Sequence, residues 1–143
     1  MTGVQTCALP ISRAQIVTFS NNASGGFVKS LKENARGVIV TQVFPYERSL
    51  SAPMVKEAHD LAVAKGLEGV SPAMLEGFAA AKVLVAAIRR AGPAPTRAKI
   101  QQALEGMNKV DIGGLEISYS AADHTGLDFV DLSIIGTDGK FRR

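Results

Sequence analysis

The sequence predicts an α/β chain, doubly wound around mainly parallel strands. Three observations carry this expectation. Strand-like and helix-like segments alternate from the start, in the order β-α-β-α-α-α-β-β. Gly37 to Phe44, GVIVTQVF, is a near-continuous apolar run, the pattern of a strand buried on both faces of a sheet. The longest helical segment opens at Ser71-Pro72 and closes at Gly92-Pro93. Its alanine-rich body is apolar almost all round, so it is expected to be largely buried.

Ala14 to Phe19, AQIVTF, is short and β-branched and reads as a strand running into the loop Ser20-Asn21-Asn22. Gly25 to Glu33 reads as a short helix, with Ser24 as N-cap and Phe27, Val28 and Leu31 on one face. Pro45 stops the strand that follows. Pro53 to Lys65 has helical spacing, with Met54, Ala58, Leu61 and Ala62 inward and Gly66 as the stop. After the Ser71-Pro72 helix, Thr96 caps another over Arg97 to Met107, with Ile100, Ala103 and Leu104 inward. Gly113-Gly114 turns the chain. Leu115 to Tyr119 and Leu127 to Ile135 read as strands, and Thr137-Asp138-Gly139-Lys140 as a tight turn.

Of the 143 residues, 46% are hydrophobic and 20% charged, a balance that can bury a core. The net charge of +3 is scattered, without the basic stripe a nucleic-acid partner requires. The most apolar stretch, Ala73 to Ile88, carries Glu76 and Lys82 and does not read as a membrane span. Met1 to Ser12, MTGVQTCALPIS, resembles the translation of a sequencing adapter, with GVQTCALPI as its core. It is expected to be foreign and unstructured, and is set aside from fold reasoning. It is no signal peptide, since no basic residue precedes Arg13 and its apolar run Ala8 to Ile11 is short and holds Pro10. Cys7, the single cysteine, falls within it, so the remainder offers no disulfide, thiol nucleophile or cysteine metal site. The natural protein is expected to continue upstream of Arg13. Two or three parallel strands are few for a free-standing sheet, which points the same way.

Catalytic chemistry finds little support. His59 sits in a helix beside Glu57 and Asp60, on the solvated side, and His124 in a turn between strands. Their separation has no metal-ligand spacing, and no GxSxG elbow occurs. No catalytic residue, metal or cofactor is expected. Ser20 to Gly26, SNNASGG, follows a strand and precedes a helix, so its backbone N–H groups could hold an anion; the other reading is a helix-capping turn. It is neither GxGxxG nor a P-loop. Asn22-Ala23-Ser24 also matches a glycosylation sequon. Glu76 is the one acid inside the apolar helix, near its start. It reads either as a partly solvated or Lys-paired carboxylate or as one that meets a ligand cation or donor.

Four stretches then carry a resemblance. They are Gly37-Val38-Ile39-Val40-Thr41-Gln42-Val43 with Pro45; Leu75-Glu76-Gly77-Phe78 with Ala81-Lys82-Val83-Leu84; Ala87-Ile88-Arg89-Arg90-Ala91-Gly92; and Ile112-Gly113-Gly114-Leu115 through Asp138-Gly139-Lys140-Phe141. In this order and spacing, Gln15 to Arg143 resembles the C-terminal region of type I periplasmic binding proteins of the leucine/isoleucine/valine-binding type. The resemblance implies an incomplete two-lobe fold: residues 13–45 in the second lobe, 46–110 returning to the first, and 111–143 supplying hinge and second-lobe strands. It implies a periplasmic solute-binding component of an ABC importer, with a membrane permease as partner. The ligand would be a branched-chain amino acid or similar small organic solute, held between the lobes. By position, Ser20, Asn21 and Asn22 would face the ligand from a strand end. Phe44 and Tyr46 would lie at the crossover, and Glu76 and Phe78 where the long helix starts. Amino-acid binders of this family use a second-lobe acid for the ammonium, and the Ser20–Gly26 loop holds none. Two alternatives share the pattern: a ligand-sensing regulatory domain of the same fold, and a piece of a doubly wound α/β enzyme.

Overall fold

The computed structural model describes residues 14–22 and 24–142, with Asn21 through its backbone alone. The expectations for Met1 to Ser12 and Cys7, and Ala23 of the sequon, lie outside the described residues. The chain divides into two compact units, one joining the residues up to Gln42 with those from Asp131 onward, the other running from Val43 to Val130.

The first unit is a four-stranded sheet in the order β1-β2-β5-β6, made of β1 (Val17–Thr18), β2 (Ile39–Gln42), β5 (Asp131–Ile135) and β6 (Phe141–Arg142). Only β1 and β2 run parallel; β2–β5 and β5–β6 are antiparallel, so the pairing in this sheet is mixed. The strands are shorter than their sequence runs because pairing, not composition, sets their ends. β1 stops where the chain tightens into a 3-10 turn, Ser20–Asn22, closed by Asn22 N–H donating to the Phe19 carbonyl at 3.0 Å.

Helix α1 (Gly25–Leu31) begins as its sequence implies, with Ser24 Oγ accepting from Phe27 N–H at 3.2 Å. A 3-10 turn, Lys32–Ala35, replaces its expected end. Together they contribute Val28 and Ala35 to the buried set.

Side chains alternate across a strand, and register partners share a face. Val38, Val40, Gln42, Ser133, Ile135 and Phe141 therefore lie on one face, and all are buried. The opposite face carries Val17 and Leu132, 58% and 55% exposed, with Ile134 at 41%. β2 is thus covered on one face, not on both as its apolar run suggests. A single short helix cannot cover two faces of a sheet.

The second unit is mostly helical. Helix α2 (Pro53–Ala64) buries Met54, Val55, Ala58 and Ala62. Leu61, expected inward, is 51% exposed, since it lies one residue, about 100° of rotation, from Ala62. Helix α3 (Pro72–Ala91) starts on Ser71, whose Oγ accepts from Met74 N–H at 3.3 Å, and ends on Gly92 at φ +84°. Its buried residues form one row at every fourth position, Leu75, Ala79, Val83 and Ala87. Leu84, Val85 and Ile88 are exposed, so α3 presents a buried stripe instead of the largely buried cylinder its composition suggests. Helix α4 (Arg97–Glu105) is capped by Thr96 Oγ1 accepting from Lys99 N–H at 3.3 Å. Ile100, Ala103 and Leu104 are half-buried against the α3 row, as their spacing implies. Met107 lies beyond the helix end and is fully buried.

A two-stranded ribbon, β3 (Val110–Asp111) and β4 (Glu116–Ile117), closes this core with Ile112, Leu115 and Ile117. Its turn is held by Asp111, whose Oδ1 accepts from Gly113 and Gly114 N–H at 2.9 and 2.6 Å. The Gly113 carbonyl in turn accepts from Met54 N–H at 2.9 Å, tying the start of α2 to the ribbon. Gly113 has φ +114°, and a Cβ there would stand 3.0 Å from the Met54 nitrogen, so both backbone angle and space require glycine.

Candidate functional site

In the first unit, polar groups gather at one end of the covered sheet face. Register partners place Thr18 beside Val40 and Ser133 opposite Val40, with Asp131 opposite Gln42 one step on. The Ser20–Asn22 turn continues from β1 at this end, the carboxyl end of the parallel pair, where open α/β sheets place their ligands. Asn22 Nδ2 donates to Thr18 Oγ1 at 2.7 Å, which fixes the Asn22 side chain over the strand end. Asp131 Oδ1 accepts from Leu132 N–H at 2.8 Å. Gln42 is 6% exposed, and its Nε2 finds no hydrogen-bond partner among the described residues. Sequence reasoning passed over Gln42, which looks like one more position in an apolar strand.

Of the other residues singled out by sequence, Phe44, Tyr46, Glu76 and Phe78 all belong to the second unit. Phe44 and Phe78 are half-buried and pack against the same two clusters, one around Met54, Val83 and Ala87, the other of Val55, Ala58 and Leu75. The structure brings this pair together as core-lining rings. Lys82 Nζ lies 5.6 Å from the Phe78 ring centre and pairs with Glu57, not with Glu76. Glu76 itself is exposed on α3. Tyr46 is half-buried in the crossover, where its carbonyl accepts from Ser49 N–H at 2.8 Å.

The residue after Tyr46 was not foreseen. Burial pushes the Glu47 carboxyl above its ordinary value, against the pull of its own backbone N–H and of the Arg48 charge. The only sequence signal was an acid directly behind the Phe44-Pro45-Tyr46 crossover. Three other acids move the opposite way for local reasons. Asp111 is held low by the N–H groups of Gly113 and Gly114, Asp123 by Thr125, and Asp138 by the Lys140 N–H. These are turn-forming carboxylates, and each spends its oxygens on its own loop.

The second unit also carries an apolar groove of about 620 Å³ between α3 and α4, walled by Val83, Leu84, Ile100 and Leu104. Tyr119 and His124 close one end, with His124 Nε2 3.5 Å from Glu105 Oε1. His59 is half-buried on α2. Among the described residues no group of three or more His, Cys, Asp or Glu side chains is placed to hold a metal, and no helix is long and apolar enough to cross a membrane.

Comparison with known proteins covers nearly the whole chain. A family model described as periplasmic binding protein matches residues 11–131. No curated protein matches the chain. Among solved structures, a possible leucine/isoleucine/valine-binding protein from Rhodopirellula baltica is 26% identical, with a TM-score of 0.83 over 97% of this chain and 38% of its own. A substrate-binding periplasmic protein from Ralstonia solanacearum is 28% identical, with a TM-score of 0.72 over 92% of this chain and 38% of its own. An extracellular ligand-binding receptor from Verminephrobacter eiseniae is 25% identical, with a TM-score of 0.73 over 89% of this chain and 37% of its own. The chain therefore spans less than two fifths of the length of each of these structures.

Proposed function

Because this chain belongs to the periplasmic binding protein family and carries part of its type I fold, we propose that the whole protein captures a small organic solute outside the cytoplasm and delivers it to the permease of an ABC importer. The observation that carries this reading is the combined match: a family model over residues 11–131, and a TM-score of 0.83 over 97% of the chain to a possible leucine/isoleucine/valine-binding protein. The solute class we assign is a branched-chain amino acid or a similar small organic acid. In this reading the residues up to 45 would furnish the second lobe, 46–110 would return to the first, and those from 111 onward would supply hinge and second-lobe strands. Ser20, Asn21 and Asn22 would meet the solute from the strand end, and Phe44, Tyr46, Glu76 and Phe78 are the further contacts proposed for the whole protein. Function of this kind is binding without turnover, so the site requires shape and hydrogen-bond donors and no nucleophile.

The test is calorimetric titration of the whole protein with leucine, isoleucine, valine and a panel of small carboxylic acids, with the solute recovered and analysed afterwards. The expected result is saturable binding of one class of solute, returned unchanged. Chemical conversion of a solute would overturn the proposal, as would failure of the whole panel to bind.

A further inference from the structure

The structure assigns Gln42 as a solute-contacting residue: its side-chain amide donates a hydrogen bond to an acceptor oxygen of the bound solute, a carboxylate or carbonyl. This rests on the solute-binding function proposed above and names a donor within it. The argument begins with burial. Gln42 is 6% exposed on the covered face of the central strand β2, in line with Val38 and Val40. An amide in such a place loses its water, and leaving its N–H groups unpaired is costly. Buried polar side chains in folded proteins are paired almost without exception, so an orphan calls for an explanation. Nε2 of Gln42 has no partner among the described residues.

Two polar side chains at this strand end bond locally. Asn22 Nδ2 is given to Thr18 Oγ1, and Asp131 Oδ1 receives Leu132 N–H. The position of the orphan is the second argument. Gln42 is the last residue of β2, at the carboxyl end of the β1–β2 parallel pair, and the Ser20–Asn22 turn leaves β1 at that same end. Ligands of open α/β sheets bind at this end of the strands. A donor buried there and without an acceptor among the described residues is suited to an acceptor that arrives from outside. An amide NH₂ has two N–H groups and no charge, so it recognises oxygen geometry and discriminates against a solute whose matching group is apolar.

The experiment uses the whole protein and two variants, Gln42→Met, which keeps length and removes the amide, and Gln42→Glu, which sets a carboxylate where the donor stood. Melting without solute and calorimetric affinity are measured for the twenty amino acids and a set of small mono- and dicarboxylates. The assignment expects Gln42→Met to melt at or above the parent temperature without solute, and to bind the parent's solute about 10- to 100-fold more weakly. Gln42→Glu should lose more affinity than Gln42→Met for any anionic solute. Equal affinity in parent and Gln42→Met overturns the assignment while leaving the solute-binding function standing. So does a sharp fall in melting with unchanged affinity of the folded fraction, which would make the amide structural. If the parent itself binds nothing in the panel, the proposed function fails, and the role of Gln42 fails with it.

Discussion

The two units bury their apolar residues differently. In the second unit, helices and a small ribbon enclose the core from several sides, and Met54, Val55, Leu75, Ala87 and Met107 are 0–1% exposed. In the first, a four-stranded sheet is covered on one face and open on the other, where Val17, Leu132 and Ile134 remain 41–58% exposed. The covered face is also of mixed character, apolar at Val38, Val40 and Ile135 and polar at Gln42 and Ser133. A closed core serves stability. A sheet whose buried face carries a hydroxyl and an amide keeps polar groups that such a closed apolar core leaves out.

The sharpest test of this contrast is a charge placed on the covered face. Val40 is 0% exposed on the central strand, so Val40→Asp should cost about 3–5 kcal/mol, the scale of an uncompensated buried charge. A urea transition at the parent midpoint would mean that this face is wet. Next comes truncation in the closed core: Leu75→Ala should cost about 2–5 kcal/mol, because α2, α3 and the Phe78 ring cannot all collapse into the space. A loss under 1 kcal/mol would show a core that repacks freely.

A smaller effect is expected at Glu47. Burial raises its carboxyl above 4.5, so the folded protein holds that proton more tightly than the unfolded chain does. Stability from this group is fully present below the unfolded value and is lost as pH rises through the raised folded value. Glu47→Gln cannot ionise, so it should be the more stable protein at neutral pH, and the two should converge in acid. Asp111, Asp123 and Asp138 work in the opposite sense, losing stability as pH falls through their lowered values. They are common to parent and variant and cancel in the difference. Parallel pH curves for the two proteins would show that Glu47 is not desolvated.

The smallest effect belongs to the open face. Ile134→Thr should change stability by no more than about 0.5 kcal/mol, as at an ordinary surface site. A cost above 2 kcal/mol would mean that the face is covered in solution, and the contrast between the units would narrow.

What the sequence disclosed follows the range of the interactions involved. Ser24, Ser71 and Thr96 were legible as caps because a cap is a bond to a residue three positions on. The turn at Gly113-Gly114 was legible for the same reason. Strand lengths were not, since β1 stops where the chain tightens into the Ser20–Asn22 turn and β2 where its pairing with β5 ends. The ribbon strand β3 and the last strand β6 are two residues each, too short for any periodicity to report. The burial of α3 was overstated because Leu84, Val85 and Ile88 are apolar yet exposed, and which stripe is covered is decided by segments distant in sequence. At the candidate site, the Ser20–Asn22 loop announced itself through composition. Gln42 and Glu47 did not, because their interest lies in being buried, and burial is decided by segments distant in sequence.

The pairing of β2 with β5 joins Gln42 to Asp131 across the entire second unit, a closure of about 90 residues. The central strand therefore waits for its antiparallel partner until the whole of the second unit has been synthesised. In the order of folding, the second unit can condense from contacts nearer in sequence while β1, α1 and β2 hold only their short parallel pairing. The sheet is completed by strands that follow the second unit in sequence, and the loop-closure cost is lowest once the intervening unit is already compact. The end of β2 that carries Gln42 is in this sense completed only after the second unit has been synthesised.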